Sequence, residues 1–123
     1  MNTKRAKNKK VTIDAMIVGA QKSATTGLLT LLGSHPDILI PARNELVFYS
    51  KTEEYNRGKD WMDWKYFQNS TNVKRVVAKD INLFRNKLGI ERLLADFPRI
   101  KLITMIRNPV DRAYSAYLFN KQM

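Results

Sequence analysis

Ala15-Met16-Ile17-Val18-Gly19-Ala20-Gln21-Lys22-Ser23-Ala24-Thr25-Thr26-Gly27-Leu28-Leu29-Thr30-Leu31-Leu32 is the stretch on which the reading of this chain turns. Ala15 to Val18 is an apolar run too short for a helix and suited to a buried strand. Gly19 breaks the run, and a polar segment holding Lys22, Ser23, Thr25 and Thr26 follows. Leu28, Leu31 and Leu32 then fall at i, i+3, i+4, the spacing of one helical face. Strand, tight loop and helix start are thereby compressed into one short segment. Such a turn aims backbone N–H groups and a helix N-terminus at one point, which suits a phosphate or sulfate. Lys22 adds a full charge and the hydroxyls add donors.

The Walker A loop requires Gly, four residues, then Gly-Lys-Ser/Thr. Here the lysine comes three residues after Gly19 and no glycine precedes it, so the spacing argues against a nucleoside triphosphatase. The bland alternative is an ordinary strand-to-helix turn whose lysine points into water.

The 123 residues suffice for one domain with a core, but not two. A hydrophobic content of 44% with 27% charged residues is that of a globular protein. The net charge of +11 points to an anionic partner: a phosphorylated cofactor, acidic polysaccharide, nucleic acid or membrane surface. Absence of cysteine excludes disulfides, thiolate metal sites and cysteine nucleophiles, and a single histidine cannot build a histidine-rich metal centre. No apolar run reaches the length of a membrane span and no signal-peptide core follows the basic N-terminus, so the expected location is cytoplasmic.

Residues 1–10, with five cations, read as a disordered basic tail, and 11–123 as the folded part. Val11 to Val18 is the first predicted strand, and the helix opening near Thr25 ends at Gly33-Ser34. His35, beside Pro36, is read as structural rather than as a general base. Glu45 precedes the β-prone run Leu46-Val47-Phe48-Tyr49; by spacing alone it is a solvated glutamate at a strand edge. The segment from Glu53 to Phe67 reads as one or two short helices broken at Gly58. Its aromatics (Tyr55, Trp61, Trp64, Tyr66, Phe67) are expected in the core or a cleft wall. Val73 to Ala78 is a second strand, Ile90, Leu93, Leu94 and Phe97 mark an amphipathic helix, and Lys101 to Ile106 is a third, buried strand.

That last strand runs into Arg107-Asn108-Pro109-Val110-Asp111-Arg112-Ala113-Tyr114-Ser115, with Asn108 as N-cap and Pro109 at the first helical position. Alternating strands and helices indicate an α/β fold with a mostly parallel sheet. Ligands of such sheets bind beyond the carboxyl ends of the strands, where Lys22 and Arg107 both fall. Pairing of Arg107 and Arg112 with Asp111 and other acids is the bland alternative for this second cluster.

The residues so far quoted resemble the sulfotransferases that use 3′-phosphoadenosine 5′-phosphosulfate (PAPS). Gly19-Ala-Gln21-Lys22-Ser23-Ala24-Thr25-Thr26 is similar to that family's loop around the 5′-phosphosulfate, and Arg107 to Ser115 to its 3′-phosphate motif. The segment between them resembles the heparan sulfate glucosaminyl 3-O-sulfotransferase branch. The resemblance implies a P-loop-NTPase-like three-layer fold, present here as the N-terminal, PAPS-binding portion and ending at Met123 just past the second motif. It implies sulfuryl transfer to a hydroxyl or amine of a glycan, lipid or small-molecule acceptor, with adenosine 3′,5′-bisphosphate as product and no metal. By the same resemblance Lys22, Glu45 and Lys79 are catalytic. Gly19, Gln21, Lys22, Ser23, Ala24, Thr25, Thr26, Arg107 and Ser115 hold the nucleotide. This reverses the reading of Glu45 from spacing. Two departures stand out: Ala24 replaces a customary glycine, and Lys79-Asp80 lacks the Thr-Pro that commonly follows the lysine. Three other readings stay open on the sequence: an inactive nucleotide-binding remnant, a basic nucleic-acid-binding module, and a nucleotide kinase using ATP and magnesium. Against the second, the best-placed cations sit at strand-to-helix turns rather than along one face with interleaved aromatics, so no nucleic-acid partner is expected.

Overall fold

A computed structural model describes residues 11–20, 24–68, 75–106 and 108–122, with the side chain of Arg112 outside that description. The expected basic tail, Gln21, Lys22, Ser23, Val73 and Arg107 lie outside the described residues.

Four parallel strands form the sheet: β1 (Ala15–Gly19), β2 (Ile38–Leu39), β3 (Arg75–Lys79) and β4 (Lys101–Thr104), in the order β2-β3-β1-β4. The helices are α1 (Thr25–Gly33), α2 (Thr52–Tyr55), α3 (Lys59–Phe67), α4 (Lys87–Asp96) and α5 (Pro109–Gln122), with a 3₁₀ helix over Ile81–Arg85. The chain leaves β1 toward the β3 side of the sheet and returns in β4 on the other side. The connections through α1 and through α4 therefore run in opposite directions and cover opposite faces, as right-handed crossovers require.

Side-chain alternation along the strands divides the core. Met16, Val18, Val76 and Ala78 face one layer, packed with Leu46, Phe48, Tyr49, Met62, Tyr66, Leu93 and Phe97. Ile17 and Val77 face the other, packed with Leu29 and the half-buried Leu28, Leu32 and Ile103. Strands buried on both faces read as continuous apolar runs, which is why β1 and β3 were visible in the sequence.

Several expectations are corrected. The first strand starts at Ala15 rather than Val11; before it, Asp14 already bonds across to β3, its N–H donating to the Val76 carbonyl (2.9 Å) and its Oδ2 accepting from the Val76 N–H (2.8 Å). Leu46 to Tyr49 is a buried loop, not a strand. The Leu46 N–H donates to the Lys79 carbonyl (2.8 Å), and the Val47 carbonyl accepts from Ser50 and Lys51 in a turn. Phe48 and Tyr49 are adjacent yet both buried, their rings 4.9 Å apart edge to face, which alternation in a half-buried strand forbids. β4 is an edge strand whose Leu102 is 43% exposed, so the third strand is not buried as expected. Trp64 is exposed, while Tyr66 and Phe67 are buried and Tyr55 and Trp61 half-buried.

Candidate functional site

Parallel strands bring all their carboxyl ends to one rim, and β1, β3 and β4 are direct neighbours there. Gly19 pairs with Thr104, and the two chains stay bonded past the strand ends: Met105 N–H donates to the Gly19 carbonyl (2.8 Å) and Ala20 N–H to the Met105 carbonyl (3.1 Å). The chain segments that leave β1 at Ala20 and β4 at Met105 thus lie side by side, about one strand spacing (~5 Å) apart.

At the far end of the first turn, Ala24 precedes α1 with φ 64° and ψ 29°, in the left-handed region. A Cβ is disfavoured there, costing about 1 kcal/mol, which gives physical meaning to the alanine-for-glycine departure. Thr25, the first residue of α1, is buried, and Thr26 is exposed beside it. At the start of this turn Gly19 has φ 157°, and a Cβ built there would lie 2.8 Å from the Phe84 ring of the 3₁₀ helix. Glycine is needed at Gly19 for close approach.

Lys79 is the last residue of β3 and only 3% exposed. Alternation puts it on the same face as Val77, toward α1, and its Nζ donates to Thr26 Oγ1 at 2.8 Å. The same Nζ pairs with Glu45 Oε2 at 2.5 Å, and Glu45 Oε1 accepts from the Ile81 N–H at 3.1 Å. Lys79 is buried while the Glu45 side chain keeps 31% of its surface open. The chain Thr26–Lys79–Glu45 therefore joins the helix that closes the first turn to a carboxylate that solvent can reach. Glu45 sits in a loop, and its reach to Lys79 is fixed by the neighbouring Leu46 bond to the Lys79 carbonyl.

Asp80 follows Lys79 and is fully buried. Its N–H donates to the Ile17 carbonyl (2.9 Å) and its Oδ1 accepts from the Asn82 N–H (3.0 Å), capping the 3₁₀ helix. Burial pushes its carboxyl up to about 6; the charge of Glu45 acts in the same direction, while Ser50 and Asn82 pull it back. Asp80 and the Phe84 ring against Gly19 were not singled out from sequence as site features. The only hint was the missing Thr-Pro after Lys79.

Asn108 caps α5 as expected, Oδ1 accepting from Val110 N–H (2.9 Å) and Asp111 N–H (3.3 Å). Ser115 is half-buried on that helix. His35 is exposed, and its Nδ1 accepts from the Asp37 N–H (3.0 Å), which makes it part of the turn after α1. Of the expected site residues, then, Gly19, Ala24, Thr25, Thr26, Glu45 and Lys79 gather around the ends of β1 and β3, and Ser115 lies on the helix following β4. Among the described residues no group of three or more His, Asp or Glu could hold a metal ion, and no helix is long and apolar enough to cross a membrane.

Residues 12–123 match the sulfotransferase domain family, and the chain belongs to it. It is 36% identical over 108 residues to bifunctional heparan sulfate N-deacetylase/N-sulfotransferase 1 of Xenopus laevis, covering 83% of this chain and 12% of the relative. With N-deacetylase/N-sulfotransferase 3 of Homo sapiens it shares 34% over 107 residues, again 83% of this chain and 12% of the relative. A sulfotransferase structure from Alicyclobacillus acidocaldarius superposes with a TM-score of 0.77 at 29% identity, over 91% of this chain and 51% of that one. The chain thus spans about an eighth of those curated relatives and half of the solved structure. The sulfotransferase resemblance of the sequence is borne out; for the segment between the two motifs it points to the heparan sulfate 3-O-sulfotransferases, and these relatives are heparan sulfate N-deacetylase/N-sulfotransferases.

Proposed function

We propose that the chain forms the nucleotide-binding part of a PAPS-dependent sulfotransferase acting on a hydroxyl or amine of a glycan. The observation that carries this reading is the Thr26–Lys79–Glu45 chain on the rim where the carboxyl ends of β1 and β4 lie side by side. The residues fit an anionic donor: a helix start with a buried and an exposed threonine, and cations at both turns in the sequence. PAPS would supply an activated sulfuryl group whose transfer calls for alignment and charge stabilisation more than covalent chemistry.

Backbone amides of the first turn, with Ser23, Thr25 and Thr26, hold the 5′ end of the nucleotide, and Arg107 with Ser115 holds the 3′-phosphate. Lys22 neutralises charge at the leaving oxygen. Glu45, the open end of the chain, takes the proton from the acceptor as it attacks. The buried Lys79 acts mainly as a post that keeps the base in register with the nucleotide turn, and its charge also favours the anionic transition state. Names of the relatives support a glycan acceptor of the heparan sulfate type.

Calorimetric titration of the chain with adenosine 3′,5′-bisphosphate and with AMP tests the donor. The bisphosphate is expected to bind at least ten-fold more tightly, about 1.4 kcal/mol. Arg107→Ala should remove that preference, and Lys22→Ala should weaken both nucleotides. Equal affinities in the unmodified chain would defeat the reading.

A further inference from the structure

Asp80 takes no part in the scheme above, yet it is fully buried at the carboxyl end of β3, next in sequence to Lys79. Its Oδ1 accepts from the Asn82 N–H at 3.0 Å, while Glu45 Oε1 accepts from the preceding amide, Ile81 N–H, at 3.1 Å. Asp80 Oδ2 has no partner of full hydrogen-bond geometry among the described residues: the Ser50 hydroxyl is near enough to lower the carboxyl's pKa, but it donates to the Val47 carbonyl at 3.2 Å. A buried carboxyl oxygen without a partner is costly when charged and less so when protonated.

We propose that Asp80 is a positioning residue for Glu45, the two carboxyl groups gripping successive amides of one turn so that a change of charge on either is felt by the other. The inference rests on the reading of Glu45 as the base. The groups facing Asp80 among the described residues come from four elements. They are Glu45 from its loop, the Ser50 hydroxyl from the turn after it, the Asn82 amide from the 3₁₀ helix and the Ile17 carbonyl from β1; Lys79 points to the opposite face toward Thr26. Raised toward neutrality by burial and by the charge of Glu45, Asp80 leaves Glu45 as the one charged carboxylate on these two amides below about pH 6. Above that pH a second negative charge enters the same turn.

The test follows the amide protons of Ile81 and Asn82 by NMR between pH 4.5 and 8 in the full chain. Both amides are expected to show an inflection near pH 6, and both should lose it in Asp80→Asn. That variant keeps an oxygen for the Asn82 amide and offers its NH₂ to the Ser50 oxygen. In Glu45→Gln the Asn82 inflection should move to lower pH, because the like charge that raises it is gone. An Asn82 inflection that stays in place in Glu45→Gln, or an Ile81 amide silent near pH 6, would reduce Asp80 to a helix cap and overturn the proposal. Neither readout depends on nucleotide binding or transfer, so failure here is distinguishable from failure of the donor assignment.

Discussion

Replacing Lys79 by methionine keeps the apolar stem but removes the cation that both Thr26 and Glu45 address. Glu45, only partly open to water, would be left without its counter-charge, so a loss of about 2–3 kcal/mol is expected, toward the low end for breaking a buried pair. The denaturant midpoint should fall with an unchanged slope, and an unchanged midpoint would mean that the pair contributes no net stability. Asp80 gives the opposite sign. Its carboxyl is raised in the folded state from 3.8 to about 6, so the native state holds its proton more tightly than the unfolded chain. Its contribution therefore falls as pH rises from about 4 through about 6 and is flat above, a cost on the order of 3 kcal/mol when fully ionised. Asp80→Asn should flatten that part of the stability-versus-pH curve and gain most on the unmodified chain at pH 7–8. A chain whose stability rises between pH 4 and 6 in step with Asp80 ionisation would contradict the burial argument.

At the scale of elements, α5 depends on its cap more than on packing. Val110 (75% exposed), Tyr114 and Tyr117 are open to solvent, so little tertiary contact supports its first turns. Asn108→Ala removes the acceptor for the Val110 and Asp111 amides. The expected cost is about 1 kcal/mol, felt locally rather than globally. Hydrogen exchange at those two amides should accelerate about five-fold while β1 and β3 amides are unaffected; equal acceleration across the sheet would show that α5 is part of the cooperative core. The contrast with α4 is instructive: its cap, Asn86 Oδ1 accepting from the Gly89 N–H at 2.8 Å, is backed by the buried Leu93 and by Phe97.

For the molecule as a whole, the β4 side of the sheet is its exposed apolar flank. Leu102 on the edge strand, Ile106 (87% exposed) just past it and Val110 at the start of α5 are all exposed. An open edge with apolar side chains promotes intermolecular pairing. The 123-residue chain is expected to self-associate with rising concentration, and Leu102→Lys with Ile106→Lys to shift sedimentation toward the monomer. A chain that stays monomeric at high concentration without those changes would argue that the flank is too irregular to pair.

Ala15 to Leu32 determined the strand–turn–helix unit, because an apolar run ended by glycine and followed by leucines at helical spacing leaves little other choice. Asn108-Pro109 likewise announced the start of α5, since capping is a contest between neighbours in the chain. Glu45 and Asp80 were not legible in that way. Local spacing made Glu45 a solvated edge residue, and only the loop that ties Leu46 to the end of β3 carries it to Lys79. The strand predicted over Leu46–Tyr49 failed for a related reason: two adjacent buried aromatics satisfy a core from a loop as well as a strand would, and periodicity cannot tell which. Which strands became neighbours, and therefore which turns share a rim, was decided by crossover handedness and face burial. Those act between segments far apart in the chain and leave no mark on the order of residues within either one.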